Sequence, residues 1–190
     1  MVKKIRQVVT KVYPNAKVLV FGSCACGLNL AESDIDLLVY NPEMKDVHMI
    51  NKLSMEFVRA GICSSIEPIK SAKVPIIKIA DAESGINVDL SFNRENGVYC
   101  VKLVRQLLRK YPELQPLLMV LKCFLRSRSL NETYHGGVSS FLLTMMVTSY
   151  LQRCYKRKDT EKVDLGKHLM DFLQLYGTKF NYDDIGISIR

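Results

Sequence analysis

The segment FGSCACGLNLAESDIDLLVY, residues 21–40, places two carboxylates, Asp34 and Asp36, at the start of an apolar run and downstream of a Gly-Ser step. Residues i and i+2 of a strand point the same way, so the two acids share one face of the predicted strand, while Ile35 and Leu37 share the other. Carboxylates about 6–7 Å apart on one face repel each other, and burying them unpaired costs several kcal/mol. We therefore expect either a cation between the two acids or open solvent around them.

The composition is that of a globular protein with a basic surface. The chain has 190 residues, of which 48% are hydrophobic and 24% charged, so it can form one large domain or two small ones with their own cores. Its net charge of +8 favours a polyanionic partner such as nucleic acid, a nucleotide or a membrane surface. The positive charge is spread out, the longest basic run is 156–158, and no RRM, KH or zinc-knuckle signature is present.

Six cysteines, at positions 24, 26, 63, 100, 123 and 154, show neither the spacing of a disulfide framework nor a CxxC pair. This pattern favours a reducing, intracellular compartment. The N-terminus has no apolar core of a signal peptide, and the longest apolar-rich segment, 138–151, is shorter than a membrane span and carries several Ser and Thr residues. We therefore expect a soluble protein that does not bind a membrane.

Hydrophobic periodicity changes once along the chain. The first part predicts a helix at 2–12, a short helix or tight turn at 24–30, a helix at 49–60 and strands at 17–21, 35–40, 74–80 and 86–92, the last two joined by a hairpin loop at 81–85. The second part predicts only helices, at 97–108, 114–126, 138–153 and 165–176. Strands first and helices later predict an α+β domain at 1–95 followed by an all-α domain at 96–190.

A third acid, Asp89, lies on the polar face of the strand INVDLSF, together with Asn87 and Ser91. If this strand pairs beside the Asp34/Asp36 strand, three carboxylates converge on one spot. Such a cluster is unfavourable without a counter-charge, and hard oxygen ligands select Mg²⁺ or Mn²⁺. Two such ions about 3.5–4 Å apart can clamp the attacking and leaving oxygens of a phosphoryl transfer.

Gly22 and Ser23, between a strand and the following turn, can supply backbone N–H groups and a hydroxyl to phosphate oxygens. A lone D-x-D or Gly-Ser is more often surface decoration or a plain turn. The order strand, Gly-Ser, helix, D-I-D strand and later V-D-L strand is far more selective, and it favours a catalytic site.

These motifs carry a family resemblance. A Gly-Ser step followed eleven residues after its Ser by D-I-D, with a later strand holding a third Asp, resembles the polymerase-β nucleotidyltransferase superfamily. The segments at 74–98, 117–143 and 169–187 resemble the noncanonical poly(A) polymerases of eukaryotes, the topoisomerase-related or DNA-polymerase-sigma group. The resemblance covers most of the chain from Ala16 onward. It implies a polymerase-β-like nucleotidyltransferase domain followed by a helical central domain.

The resemblance also implies an activity, namely the Mg²⁺- or Mn²⁺-dependent addition of AMP from ATP to an RNA 3′ end. By motif, Asp34 and Asp36 would bind both metal ions, and Asp89 would ligate the catalytic ion and help deprotonate the attacking 3′-hydroxyl. Gly22 and Ser23 would hold the triphosphate of ATP.

Four residues of the helical part match nucleotide-binding positions of the family. Lys122 and Arg126 would bind the triphosphate, Ser140 would contact phosphate, and Phe141 would stack on the base. From the residues alone, Lys122 and Arg126, which share a helix face, read as a solvated basic edge, and Phe141 reads as part of a core.

The family's central domain continues past the residues that match 180–187 and includes the segment that reads the base. The chain is therefore expected to be an incomplete version whose base selectivity and independent activity stay open. The resemblance further implies RNA surveillance in the nucleus, with the cytoplasm as the other option, and two partners: a zinc-knuckle RNA-binding protein and a helicase.

Two alternatives stay open. The chain is either an enzyme or a non-catalytic module that binds a partner protein or RNA. Within the enzyme class, uridylate transfer or DNA synthesis on the same scaffold competes with adenylate transfer.

Overall fold

The structure is a computed structural model that describes residues 1–43, 45–71, 74–156 and 164–189. It divides into two compact units, Met1–Lys102 and Leu103–Arg190. All six cysteines are free thiols. Two residues of the basic run at 156–158, namely 157 and 158, lie outside the described residues.

Within the described ranges, the structure contains no helix with both the length and the apolar character needed to cross a membrane.

The first unit is a five-stranded mixed sheet with helices. Its described elements are α1 (Val2–Val12), β1 (Lys17–Phe21), α2 (Gly22–Cys26), β2 (Ile35–Tyr40), α3 (Asp46–Arg59), β3 (Cys63–Ile69), β4 (Ile76–Asp81) and β5 (Asn87–Phe92). The strand order is β1-β2-β5-β4-β3. Strands β2 and β5 are parallel, and the other three neighbouring pairs are antiparallel. The central strands β2 and β5 are therefore neighbours in space although 46 residues separate Tyr40 from Asn87 in the chain.

Helices α1 and α3 bury their apolar stripes in the same core as one face of this sheet. Ile5 and Val9 of α1, and Leu53 and Phe57 of α3, are completely buried in a cluster that includes alternate residues of the strands, such as Leu37. Burying each such side chain contributes about 1.5–3 kcal/mol. Because alternate strand residues point to opposite faces, this packing leaves the polar residues of β2, β4 and β5 on the other face, which we call the site face.

Most predicted elements of this unit are confirmed, with shifts at their ends. The helix predicted at 49–60 starts earlier, at Asp46. Of the short helix or tight turn predicted at 24–30, the structure shows a short helix, which spans Gly22–Cys26. The expectation of only four strands was wrong, because β3 forms a fifth strand at the sheet edge. Its sequence, CSSIEPI, is half exposed and contains a proline, which suits an edge strand and weakens the strand pattern.

The remaining helices carry the second part of the chain. They are α4 (Asn96–Lys110), α5 (Leu114–Ser127), a 3₁₀ turn (Thr133–His135), α6 (Ser140–Lys156), α7 (Leu165–Gln174) and a π-helical turn (Leu175–Lys179). Leu114, Leu118 and Leu121 of α5 are buried, as is Phe172 of α7. The side chain of Asp164 caps α7 by accepting hydrogen bonds from the next turn. No strand is present among the described residues after Phe92, as the sequence predicts.

Candidate active site

Asp36 and Asp89 lie side by side on the site face. In the parallel pairing of β2 with β5, Asp36 is in register with Asp89. Asp34 precedes β2 by one residue, and its charge acts on Asp89. The predicted pairing of the Asp89 strand beside the Asp34/Asp36 strand is therefore confirmed, and the structure brings the three carboxylates to one place on the sheet.

Hydrogen bonds at the ends of the two strands also hold this register. Asn93, which follows β5 with a positive φ of 50°, accepts a hydrogen bond from the Asn41 N–H through its side chain at 2.7 Å. Its own N–H donates to the carbonyl of Val39 at 3.1 Å, and its side-chain amide donates to Asp46 at 3.0 Å. Asn93 thus ties the end of β5 to the end of β2, which holds Asp36 and Asp89 opposite each other.

Asp89 is half-buried, and its environment works against its charge. Burial raises the pKa of the Asp89 carboxyl, the positive charge of Lys78 lowers it by a smaller amount, and the nearby Asp34 raises it again; the net direction is upward. Asp89 is therefore a better proton acceptor than an ordinary aspartate.

Charged residues form a row across four strands of the site face. Asp36 on β2 pairs with Asp89 on β5, Asp89 pairs with Lys78 on β4, and Lys78 pairs with Glu67 on β3. We call these four residues the charged row. Opposite charges on directly paired strand residues contribute about 0.2–1 kcal/mol each. Lys78 is thus the cation of the sheet nearest in register to Asp89, and it was not among the residues singled out from the sequence.

The β1 end of the charged row is apolar. Phe21 is the β1 partner of Asp36, and it lies against the start of α4. A Cβ added to Gly97 would come within 2.5 Å of the Phe21 ring, so the helix can approach this closely only because Gly97 has no side chain. Phe21 therefore places an apolar residue directly beside Asp36 in the register of the sheet.

Gly22 makes room for Asp36. The residue has a φ of +66°, a conformation that favours glycine, and a Cβ at this position would overlap Oδ2 of Asp36. Two residues further on, Cys24 Sγ donates a hydrogen bond to the Asp34 carbonyl at 3.7 Å. Ser23 lies half-buried in the first turn of α2. The Gly-Ser step therefore lies directly against the acid cluster.

A shallow depression of about 200 Å³ opens beside the acids on the site face. Its polar lining consists of Asp34, Ser65, Glu67, Lys78, Asn87 and Asp89. Two of these residues, Ser65 and Glu67, come from strand β3, and because β3 was not predicted, the depression was not predicted either.

The donor chemistry fits a hard divalent cation. Among the described residues, no group of three or more His, Cys, Asp or Glu side chains has the spacing of a complete metal-binding cluster. Mg²⁺ rarely needs such a cluster, because it keeps several water ligands and is usually bound by one or two carboxylates together with substrate phosphates. The paired carboxylates Asp36 and Asp89 meet this requirement, and the missing side chain of Gly22 leaves the room that Oδ2 of Asp36 occupies.

The four predicted nucleotide-binding residues of the helical part lie on α5 and α6. Lys122 is half-buried and Arg126 is exposed, one helical turn apart on α5, and each already interacts with other groups of the chain. Ser140 and Phe141 form the first turn of α6, where Phe141 is 42% exposed. Phe141 is therefore not part of a core, contrary to the reading from its apolar surroundings alone.

Comparisons with known proteins identify the family of this chain and its fold. The sequence matches the family described as "Poly(A) RNA polymerase, mitochondrial-like, central palm domain" over residues 1–109, and "Cid1 family poly A polymerase" over residues 164–190. A solved structure of the polymerase core of TRAMP, an RNA surveillance complex, superposes with a TM-score of 0.86 and 34% identity, covering 97% of this chain and 59% of that chain. The fold is therefore that of the RNA nucleotidyltransferases.

Two curated relatives show the range of activity among similar proteins. The poly(A) RNA polymerase CID14 of Cryptococcus neoformans is 38% identical over all of this chain and 26% of its own length. Trf4-2 of Drosophila melanogaster, named as an inactive poly(A) RNA polymerase protein, is 40% identical over 99% of this chain and 47% of its own length. The chain belongs to the mitochondrial-like poly(A) RNA polymerase family, and it spans less than half the length of these two relatives.

Proposed function

We propose that this chain carries the catalytic part of a template-independent RNA nucleotidyltransferase that transfers AMP from ATP to the 3′-hydroxyl of RNA. The observation that carries the proposal is the in-register pairing of Asp36 with Asp89, with Gly22 packed against Asp36. Family membership supports it, because relatives of this chain are named poly(A) RNA polymerases.

In the proposed reaction, the 3′-hydroxyl oxygen of RNA forms a bond with the α-phosphorus of ATP, and the bond to pyrophosphate breaks. Asp34 and Asp36 would hold both divalent ions, and Asp89 would share one of them. Bound Mg²⁺ would neutralise the phosphates and lower the pKa of the attacking hydroxyl. Asp89 accepts the proton of that hydroxyl.

The binding roles follow the motif matches. Gly22 and Ser23 hold the triphosphate through the start of α2, where a positive φ lets the backbone come close to the acids. In the second unit, Lys122 and Arg126 bind phosphate. Ser140 contacts phosphate, and the exposed ring of Phe141 stacks on the base.

Partners and setting are also proposed from the relatives. The TRAMP polymerase core belongs to an RNA surveillance complex, which supports a role for this chain in such a complex. A zinc-knuckle RNA-binding protein, a helicase and a nuclear location are proposed from the family resemblance of the sequence. The division into a catalytic domain at 1–95 and a helical central domain at 96–190 also stays a proposal.

A non-catalytic binding module is the second candidate. It is favoured by Trf4-2, a relative that is 40% identical and named inactive. All three acids are nevertheless present in this chain, and mutually repelling carboxylates have no structural reason to stay together.

The two candidates differ in their response to nucleotide. The enzyme predicts that millimolar ATP with Mg²⁺ raises the melting temperature of the chain, because a ligand that binds only the folded state stabilises it. The Asp36→Asn variant should lose this shift, while an exposed control, Asp183→Asn, should keep it. A chain that shows no shift with ATP and Mg²⁺ would instead be a binding module, and comparing the four nucleotides distinguishes adenylate from uridylate transfer.

A further inference from the structure

The depression beside the acids contains polar groups that the proposed chemistry does not use. Asn87, Ser65 and Lys78 line it together with Asp34 and Asp89. Asn87 is exposed, and its carboxamide forms no hydrogen bond with any residue that the structure describes. A carboxamide has two donor hydrogens and an acceptor oxygen, so it is well suited to bind a hydroxyl group.

The polar side chains of the depression suit a ligand with several hydroxyl groups. Glu67, Lys78 and Asn87 line it beside the metal-binding acids Asp34 and Asp89. A group such as a sugar can donate a hydrogen bond to Glu67 and accept hydrogen bonds from the lysine and the amide.

Position then points to one hydroxyl of that sugar. Asn87 lies two residues before Asp89 on the same strand and the same face, with Cα atoms about 6–7 Å apart. The 2′-hydroxyl of a ribose is bonded to the carbon next to the one that carries the 3′-hydroxyl. If Asp89 takes the proton of the 3′-hydroxyl, a group that binds the 2′-hydroxyl must lie close to Asp89, as Asn87 does.

We propose that the depression binds the terminal ribose of the acceptor RNA and that Asn87 hydrogen-bonds its 2′-hydroxyl, which makes Asn87 the residue that distinguishes an RNA end from a DNA end. The inference rests on the proposed function, because it takes the acceptor 3′-hydroxyl to lie at Asp89. The 2′-hydroxyl is the group by which proteins separate the two nucleic acids.

The test uses two fluorescein-labelled oligo(A) RNAs that differ in one atom. One ends in a ribose, and the other ends in a 2′-deoxyribose that keeps its 3′-hydroxyl. Fluorescence anisotropy with the 190-residue chain measures the dissociation constant of each. A neutral hydrogen bond contributes about 0.5–1.5 kcal/mol, so the ribose-ended RNA should bind about two- to thirteenfold more tightly.

Asn87→Ala should bind both RNAs with the same dissociation constant, the one that the unaltered chain shows for the deoxyribose-ended RNA. Asn51→Ala, which alters an exposed asparagine of α3, a helix of the opposite sheet face, should keep the preference. Equal binding of both RNAs by the unaltered chain, or a preference that survives Asn87→Ala, overturns the inference.

The ATP shift separates this failure from that of the proposed function. A chain that responds to ATP with Mg²⁺ but shows no preference between the RNAs keeps the function and loses the role of Asn87. A chain that binds neither RNA has no acceptor site, which also overturns the inference. Loss of the ATP response as well would remove the function itself.

Discussion

Asp36 on β2 and Asp89 on β5 face each other in register across two parallel strands at the centre of the sheet. Two carboxylates in directly paired positions repel each other, so this arrangement destabilises the fold. On the Asp89 side, the directly paired residue of β4 is the cation Lys78. On the Asp36 side, the directly paired residue of β1 is Phe21. Because the two carboxylates repel each other, a cation bound between them would stabilise the pair.

Gly22→Ala tests the contact between the Gly-Ser step and Asp36. A left-handed φ costs a residue with a Cβ about 1–2 kcal/mol, and the new methyl group would also overlap Oδ2 of Asp36. We expect the free energy of unfolding of this variant to fall by more than about 2 kcal/mol, because the backbone strain and the steric overlap add together. It should also lose the melting shift with ATP and Mg²⁺.

Gly27→Ala is the matched control for this variant. Gly27 has nearly the same φ, +70°, but a Cβ there would meet nothing within 4 Å. The free energy of unfolding of Gly27→Ala should fall by only about 1–2 kcal/mol, and this variant should keep the ATP response. Equal losses of stability and of ATP response in both variants would show that backbone strain, rather than the contact with Asp36, makes Gly22 necessary.

Asp89→Asn tests the cost of partly burying the charged Asp89 carboxylate next to Asp34. Because the pKa of Asp89 in the folded chain lies above its ordinary value of 3.8, the folded chain binds more protons than the unfolded chain, and ionisation of Asp89 lowers stability as pH rises through that pKa. The neutral amide removes this penalty. Since Asp89 is partly exposed, we expect a gain of about 1 kcal/mol or less at neutral pH.

The pH dependence distinguishes this gain from better packing. Urea titrations of both proteins should show a difference at neutral pH that disappears as the pH falls below 3.8 and the wild-type carboxyl becomes protonated. A gain that is constant with pH would contradict the electrostatic explanation.

A double-mutant cycle on Lys78 and Asp89 tests the charged row. The two residues are directly paired on β4 and β5. Unfolding free energies of Lys78→Met, Asp89→Asn and the double variant should give a favourable coupling of about 0.2–1 kcal/mol that decreases with salt. Lys70, an exposed lysine beyond the end of β3, supplies the control pair, Lys70→Met with Asp89→Asn, which should show no coupling. A coupling of zero between Lys78 and Asp89 would mean that the attraction between these two charges does not stabilise the fold.

Much of the fold could be predicted from local patterns, because the central strands β2 and β5 combine apolar alternation with clear turn signals. The Gly-Ser step and the acid pattern were visible for the same reason. Strand β3 could not be predicted in this way, since its exposed edge position requires little apolar character and tolerates Pro68. Its partner residues Ser65 and Glu67, and with them the depression, stayed hidden.

The position of Lys78 was within reach of the sequence. The predicted hairpin loop at 81–85 is confirmed, and an antiparallel hairpin around it places Lys78 opposite Asp89. The register of β2 with β5 could not be predicted in this way, because a parallel pair has no tight turn to set it. It depends on contacts such as those of Asn93, which only the folded chain brings together.

The central claim is that the paired acids perform adenylate transfer, and the most direct measurement is the incorporation of radiolabelled AMP from ATP into the 3′ end of an oligo(A) RNA in Mg²⁺. We predict incorporation by the unaltered chain, none by Asp36→Asn or Asp89→Asn although both stay folded, and normal incorporation by Asp183→Asn. Incorporation that persists in either of the first two variants, or that is absent from the unaltered chain, would contradict the account.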